Sequence, residues 1–304
     1  MKTINFMGIR KLTLGISLSL VLISIIALAV NGLKLGLDFT GGTLIEVKYS
    51  QPANLNEIRA VLQQNAYHDV TVQFFGSEQD VLVRMSESYR ADLGDTVLAA
   101  LQKSTAEGVS VTLQRAEFVG SQVGEDLRDE GGLALLLAIA TILVYVAFRF
   151  QMKFSLGAVI ALVHDVTITL GVFALFRIEF DLTVLAAILA IIGYSLNDTI
   201  VVADRIRENL RMMRETEVEE IINVSLTQTL DRTLMTSGTT LIVVLVLLLM
   251  GGELIHNFAL ALTVGIFVGT YSSIYIAASL LMLMKITRED LIPAALEEAV
   301  DDRP

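Results

Sequence analysis

Six long apolar runs alternate with short polar joints along the chain, and a single extended hydrophilic stretch separates the first run from the second. The runs are Leu12 to Val30, Gly132 to Phe148, Phe154 to Phe176, Leu182 to Ala203, Thr233 to Met250 and Phe258 to Met284, each bounded by charged or turn residues. Their lengths suit helices that cross a hydrocarbon core. The expected fold class is therefore a polytopic α-helical membrane protein with six transmembrane helices, the first at residues 12–30 and the other five within 131–285. Arg10 and Lys11 ahead of Leu12, and Ala27-Leu28-Ala29 near its end, also fit a cleaved signal peptide, although the run is longer than a usual signal core.

The hydrophilic stretch at residues 31–130 changes period. Thr43-Leu44-Ile45-Glu46-Val47 and Val81-Leu82-Val83-Arg84 alternate as strands do, while Leu55, Ile58 and Leu62 recur at helical spacing. The order reads strand (Leu35 to Tyr49), helix (Leu55 to Asn65), strand (Val70 to Phe75), strand (Asp80 to Met85), helix (Tyr89 to Ser104), strand (Val109 to Phe118). That is the βαββαβ pattern of a small α+β ferredoxin-like domain.

Basic residues give the orientation. Lys2, Arg10, Lys11, then Arg149 and Lys153, then Arg205, Arg207, Arg211, Arg214 and Arg232, then Lys285 and Arg288 fall at alternate ends of the spans. The positive-inside rule places the N-terminus (1–11), the loop 204–232 and the tail (286–304) in the cytoplasm. Residues 31–130 and the short turns near Glu179 and Glu253 then lie outside the cytoplasm.

Composition agrees with a lipid environment: 54% of residues are hydrophobic, 18% are charged and mean hydropathy is +0.65. A net charge of -11 argues against a nucleic-acid partner. The chain has no cysteine, and His68, His164 and His256 lack the close spacing of a metal motif, so neither a metal site nor a cofactor is indicated. Gly36-Leu37-Asp38-Phe39-Thr40-Gly41-Gly42-Thr43 lacks the lysine and the strand-to-helix context of a phosphate loop, and reads as a turn or bulge. No nucleophile context marks a catalytic residue.

The informative residues are those that lipid penalises. Asp198 lies within the fourth run, flanked by Asn197 and Thr199 and one turn after Ser195. Burial disfavours its charged form and a nearby cation favours it, so such a group is able to relay protons; a permanently paired structural carboxylate is the alternative. Arg205 follows seven residues later on the same helix face. Arg232 opens the fifth run, where it either snorkels to headgroups or turns inward as a counter-ion for Asp198. His164 and Asp165 sit near the middle of the third run, as pathway members or packing groups, and being adjacent they need not bond to each other. Arg149, Asp204 and Arg205 form an expected charge network. Gly265, Gly269, Ser272 and Ser273 carry the small-residue spacing of a helix-packing motif.

Taken together, several segments resemble the SecF members of the SecD/SecF family of protein-export subunits. They are Gly36-Leu37-Asp38-Phe39-Thr40-Gly41-Gly42, Tyr145-Val146-Ala147-Phe148-Arg149-Phe150, Ala161-Leu162-Val163-His164-Asp165, the stretch from Gly193 to Asn209, and Ser225 to Thr233. Ser121 departs from the pattern, where proline is expected. The resemblance implies a six-helix half of an RND-like transporter that pairs with SecD and associates with the SecYEG channel and YajC. It also implies a non-enzymatic, proton-driven role in late-stage export of unfolded polypeptide, with Asp198 and Arg232 serving proton transport. A small-solute exporter half and a passive scaffold for SecD are the competing expectations.

Overall fold

The structure is a computed structural model that describes residues 3–67, 70–86, 90–105, 108–213, 215–288 and 290. Lys2, His68, Tyr89, Arg214, Glu289 and the tail from Leu291 to Pro304, all used in the reading above, lie outside the described residues. The long helices are α1 (Arg10–Asn31), α5 (Ser121–Arg149), α6 (Met152–Phe176), α7 (Leu182–Met212), α8 (Val218–Met250) and α9 (Glu253–Tyr271). A π-helical segment, Ser272–Ala277, continues α9 into the short α10 (Ala278–Leu283). Among the described residues six segments are thus long and apolar enough to cross a membrane.

Between α1 and α5 stand β1 (Lys34–Leu35), α2 (Leu37–Thr40), β2 (Gly42–Tyr49), α3 (Leu55–Gln64), β3 (Thr71–Phe75), β4 (Ser77–Met85), α4 (Leu93–Ser104) and β5 (Val111–Val119). The last four strands form one antiparallel sheet in the order β3-β4-β2-β5, so each crossover helix joins two strands that have a third between them. Alternation decides which face is buried. Thr43, Ile45, Val47 and Tyr49 of β2 point inward with Val81, Val83 and Met85 of β4. Ile58 and Leu62 of α3 and Leu93, Val97 and Leu101 of α4 cover them, and each such side chain contributes about 1.5–3 kcal/mol by leaving water. Asn54 caps α3 by accepting the Asn56 N–H at 3.1 Å.

Three expectations need correction here. The strand expected over Leu35 to Tyr49 is broken into β1, the single-turn α2 and β2, because Gly41 and Gly42 take φ values of +67° and +120° that disfavour other residues. Close packing adds to this: a Cβ on Gly41 would lie 2.6 Å from Ser121 Cα, and one on Gly42 would lie 2.7 Å from the Met85 carbonyl. Second, α5 begins at Ser121, so the sheet unit ends near Val119 rather than at residue 130. Third, most of the expected loop 204–232 is helix. Ile206 and Leu210 of α7 and Ile221, Ile222 and Leu226 of α8 continue an apolar stripe that packs with Phe6, Met7 and Ile286. The connection between α7 and α8 shrinks to 213–217.

The helices are unequally covered. About half of the most apolar stretch of α6, of α7 and of the α9–α10 segment is buried, against 6% for α5 and 17% for α8. In water this exposure of Leu136, Phe148, Met235, Ile242 and Leu249 would be costly; in lipid or against another apolar helix it is not. The α6–α7 connection holds β6 (Glu179–Phe180), which pairs in parallel with β1 and so fastens the sheet unit's entry to the top of the bundle.

Candidate functional site

A polar cluster occupies the middle of the bundle, where α6, α7, α8 and the π-helical segment meet. Asp181 starts α7 by accepting the Val184 N–H at 2.8 Å. From there the helix runs unbroken and presents Ser195, Asp198 and Thr199 inward, one turn apart. Asp198 is 5% exposed. Its Oδ1 accepts from Thr233 Oγ1 of α8 at 3.0 Å, and its Oδ2 lies 3.2 Å from Ser273 Oγ. Asp165 of α6 has no exposed surface. Its Oδ2 accepts from Ser272 Oγ at 2.7 Å and from Ser195 Oγ, and its Oδ1 lies 2.8 Å from His164 Nδ1.

Two adjacent serines therefore serve two carboxylates. Consecutive residues point about 100° apart around a helix, so Ser272 reaches α6 while Ser273 reaches α7. Gly269, one turn earlier, makes room: a Cβ there would sit 3.1 Å from Ser195 Cβ and 3.6 Å from Asp165 Oδ2. Gly265 is pressed against Ile191 in the same way, so α9 lies close along α7.

Proton counting shows what the cluster can do. Ser273 Oγ is also 2.7 Å from the Gly269 carbonyl, and a hydroxyl has only one hydrogen to give. With Asp198 ionised, that hydrogen turns to the carboxylate. With Asp198 protonated, the acid O–H donates to Ser273 Oγ and the serine hydrogen turns to Gly269 O. The same two partners satisfy both protonation states without moving a heavy atom far. Ser272, 3.1 Å from the same carbonyl, has the corresponding choice for Asp165. Among the described residues no lysine or arginine lies within 4.0 Å of either carboxylate.

The expected site residues divide accordingly. Asp198, Asp165, His164 and Ser195 are brought into the cluster, and His164 bonds directly to Asp165, a contact that adjacency in sequence permits without requiring. The His164 Nε2 is buried without a partner among the described residues. Thr199 is buried beside the cluster, without a hydrogen bond to either carboxylate among the described residues. Asn197 points outward and is exposed. Arg232 is exposed too, because Thr233 takes the inward position on α8; it acts on Asp198 only as a longer-range charge, not as the contacting counter-ion. Arg205 does not return to Asp198: it pairs with Glu208 at 3.0 Å. Arg149 does meet Asp204 at 2.9 Å, joined by Arg207 at 3.1 Å, with both guanidinium groups over the Phe150 ring. Ser272 and Ser273, read as packing residues, are hydrogen-bond donors to the carboxylates, and Thr233 had not been singled out at all. Hydroxyls one turn from a glycine carry the same sequence signal for both roles. Among the described residues no group of three or more His, Asp or Glu is placed to hold a metal.

Comparison with known proteins places this geometry in context. The C-terminal family of SecD/SecF protein export membrane proteins matches residues 98–287, and the SecD/SecF GG motif matches residues 26–53. The chain is 52% identical over 302 residues to the protein translocase subunit SecF of Pseudomonas aeruginosa, covering 99% of this chain and 98% of that one. It is 46% identical over 307 residues to the SecF of Escherichia coli O157:H7, covering 100% and 94%. Among solved structures it is similar to SecDF, a translocon-associated membrane protein from Thermus thermophilus, with a TM-score of 0.83, 36% identity and 93% of this chain covered. The match takes in 39% of that longer SecDF chain.

Proposed function

This chain belongs to the SecD/SecF family of protein export membrane proteins, and from that premise we propose that it couples proton movement across the bacterial inner membrane to late-stage protein export. The observation that carries the reading is Asp198, buried among hydroxyls that serve both of its protonation states and, among the described residues, without a contacting cation. A proton entering from the outer side binds Asp198, the Ser273 hydrogen turns to Gly269, and the field between Asp198 and the exposed Arg232 is discharged. Helices α7 and α8 then settle differently against each other. The driving force suffices, since a unit charge crossing the membrane gains about 2.3 kcal/mol per 100 mV.

In this reading both termini are cytoplasmic and the sheet unit is periplasmic. The bare faces of α5 and α8, together with the exposed Arg232 of α8 and Asn197 of α7, meet SecD, whose matching helices complete an RND-like bundle. The assembly works beside SecYEG with YajC, and the periplasmic units of both subunits hold the emerging unfolded polypeptide against back-sliding. A small-solute exporter is the poorer fit. The clefts beside the sheet unit, of about 270 and 370 Å³, set Lys34, Arg84, Arg115 and Glu179 among apolar side chains such as Leu44, Leu82 and Phe74, a more heavily charged lining than the few polar groups of an ordinary solute pocket. The test is Asp198→Asn in vesicles holding the assembled complex. Gradient-dependent export and proton flux are both expected to vanish with assembly intact; unchanged flux would leave the passive-scaffold reading in place.

A further inference from the structure

The glycine-rich segment that sequence patterning reads only as a turn touches both the bundle and the sheet unit. Toward the membrane, Asp38 Oδ2 accepts the backbone N–H of Leu182, the first residue of α7, at 2.9 Å. Phe39, 4% exposed, stacks on Phe180 with ring centroids 5.9 Å apart. Gly36 N–H donates to the Phe180 carbonyl at 2.8 Å.

Toward the sheet, Arg84 of β4 closes the contact from the other side. Its guanidinium donates to Thr40 Oγ1 and to the Leu35 carbonyl at 3.3 Å, and pairs with Glu179 at 3.1 Å. Lys34 lies 3.7 Å from the same carboxylate. The Arg84 and Glu179 side chains are 19% and 23% exposed, so this pair is less screened by water than an ordinary surface bridge.

These contacts bear on the site through α7. Asp198 lies 16 residues beyond Leu182 on one unbroken helix, about 24 Å along its axis. A shift of α7 at Asp198 thus displaces the Asp38 and Glu179 contacts with it. The cavity lined by Lys34, Thr40, Arg84 and Glu179 leaves those side chains room to exchange partners.

We propose that Asp38 and the Arg84–Glu179 pair are the positioning residues that deliver a displacement of α7 to the sheet unit. This rests on the proton-coupled reading of Asp198. In vesicles carrying the complete complex, proton flux and export are measured together for Asp38→Ala, Arg84→Gln, Glu179→Gln and the exchanged pair Arg84→Glu with Glu179→Arg. Each single variant is expected to keep its proton flux while export stimulation falls about fivefold or more, the lower end of ordinary site-to-site coupling. The exchanged pair should recover export above either single variant, which a variant that merely misfolds would not. Export unchanged in the single variants, flux and export falling in step, or no recovery in the exchanged pair would each overturn the proposal. Failure of the underlying reading looks different, because there Asp198→Asn itself leaves export and flux unchanged.

Discussion

The sheet unit and the helical bundle differ in what they bury beside their apolar cores. The sheet unit buries Ile45, Val47, Leu62, Val83 and Leu101 and keeps its charges in exposed or half-exposed pairs such as Lys48–Asp80 and Arg115–Glu117. The bundle buries Asp165, Asp198, Ser195, Ser272, Ser273 and Thr233 among apolar side chains such as Ile188, Ile191 and Phe173, and shows other leucines and isoleucines, such as Leu136, Ile242 and Leu249, to the outside. The first arrangement maximises what burial contributes to stability. The second gives up that contribution at its centre, and keeps there groups whose protonation is able to change. In the proposed reading the titrating groups lie in the bundle and not in the sheet unit, and substitutions should separate their effects from those of the sheet core.

The largest effect on folding belongs to the apolar core. Leu62→Ala, at a site with no exposed surface, should destabilise the sheet unit by about 2–5 kcal/mol while proton flux per folded molecule is unchanged; thermal unfolding followed alongside flux checks both halves. Alkaline pH attacks the same core. Burial pushes the Tyr49 hydroxyl up to about 12, so the folded state keeps a proton that the unfolded chain loses near pH 10. Its contribution is fully present below pH 10 and is lost as pH rises toward 12, amounting to about 2–3 kcal/mol. Denaturant titrations at stepped pH should show that fall, and Tyr49→Phe should flatten it.

The converse belongs to the cluster. Ser273→Ala removes the hydroxyl that serves both states of Asp198 at a cost of about 1–3 kcal/mol. Proton-driven export should drop roughly tenfold or more, the factor that 1.4 kcal/mol represents, with the unfolding temperature of the sheet unit unmoved. A shift in that temperature would blur the division of labour. Smallest of all is Arg205→Gln. Its partner is the half-exposed Glu208, a class of pair worth about 0–1 kcal/mol, so flux, export and stability should all stay at wild-type values. A marked loss of flux would instead join Arg205 to the site.

Much of this division was legible in the sequence. Alternation in β2 and β4, helical spacing in α3 and the six apolar runs each follow from one period imposed on one solvent boundary. Asp198 and Asp165 stood out because lipid penalises them wherever they point. What sequence could not carry was rotation and partner choice. Arg232 and Thr233 are neighbours, and which of them faces Asp198 depends on how α8 packs, not on its composition. Ser272 and Ser273 share their pattern with any close helix crossing, and the π-helical segment has no apolar signature of its own. Asp38 and Arg84 are 46 residues apart, and only the fold brings both to the start of α7.

The central claim is that Asp198 gains and loses a proton during work. Infrared difference spectra of the membrane-embedded complex, recorded with and without an imposed proton gradient, test it most directly. A carboxylic C=O band that appears with the gradient, shifts on deuteration and is absent in Asp198→Asn is the result expected. The same band persisting in Asp198→Asn, or no carboxylic band in the unaltered protein while export proceeds, would contradict it.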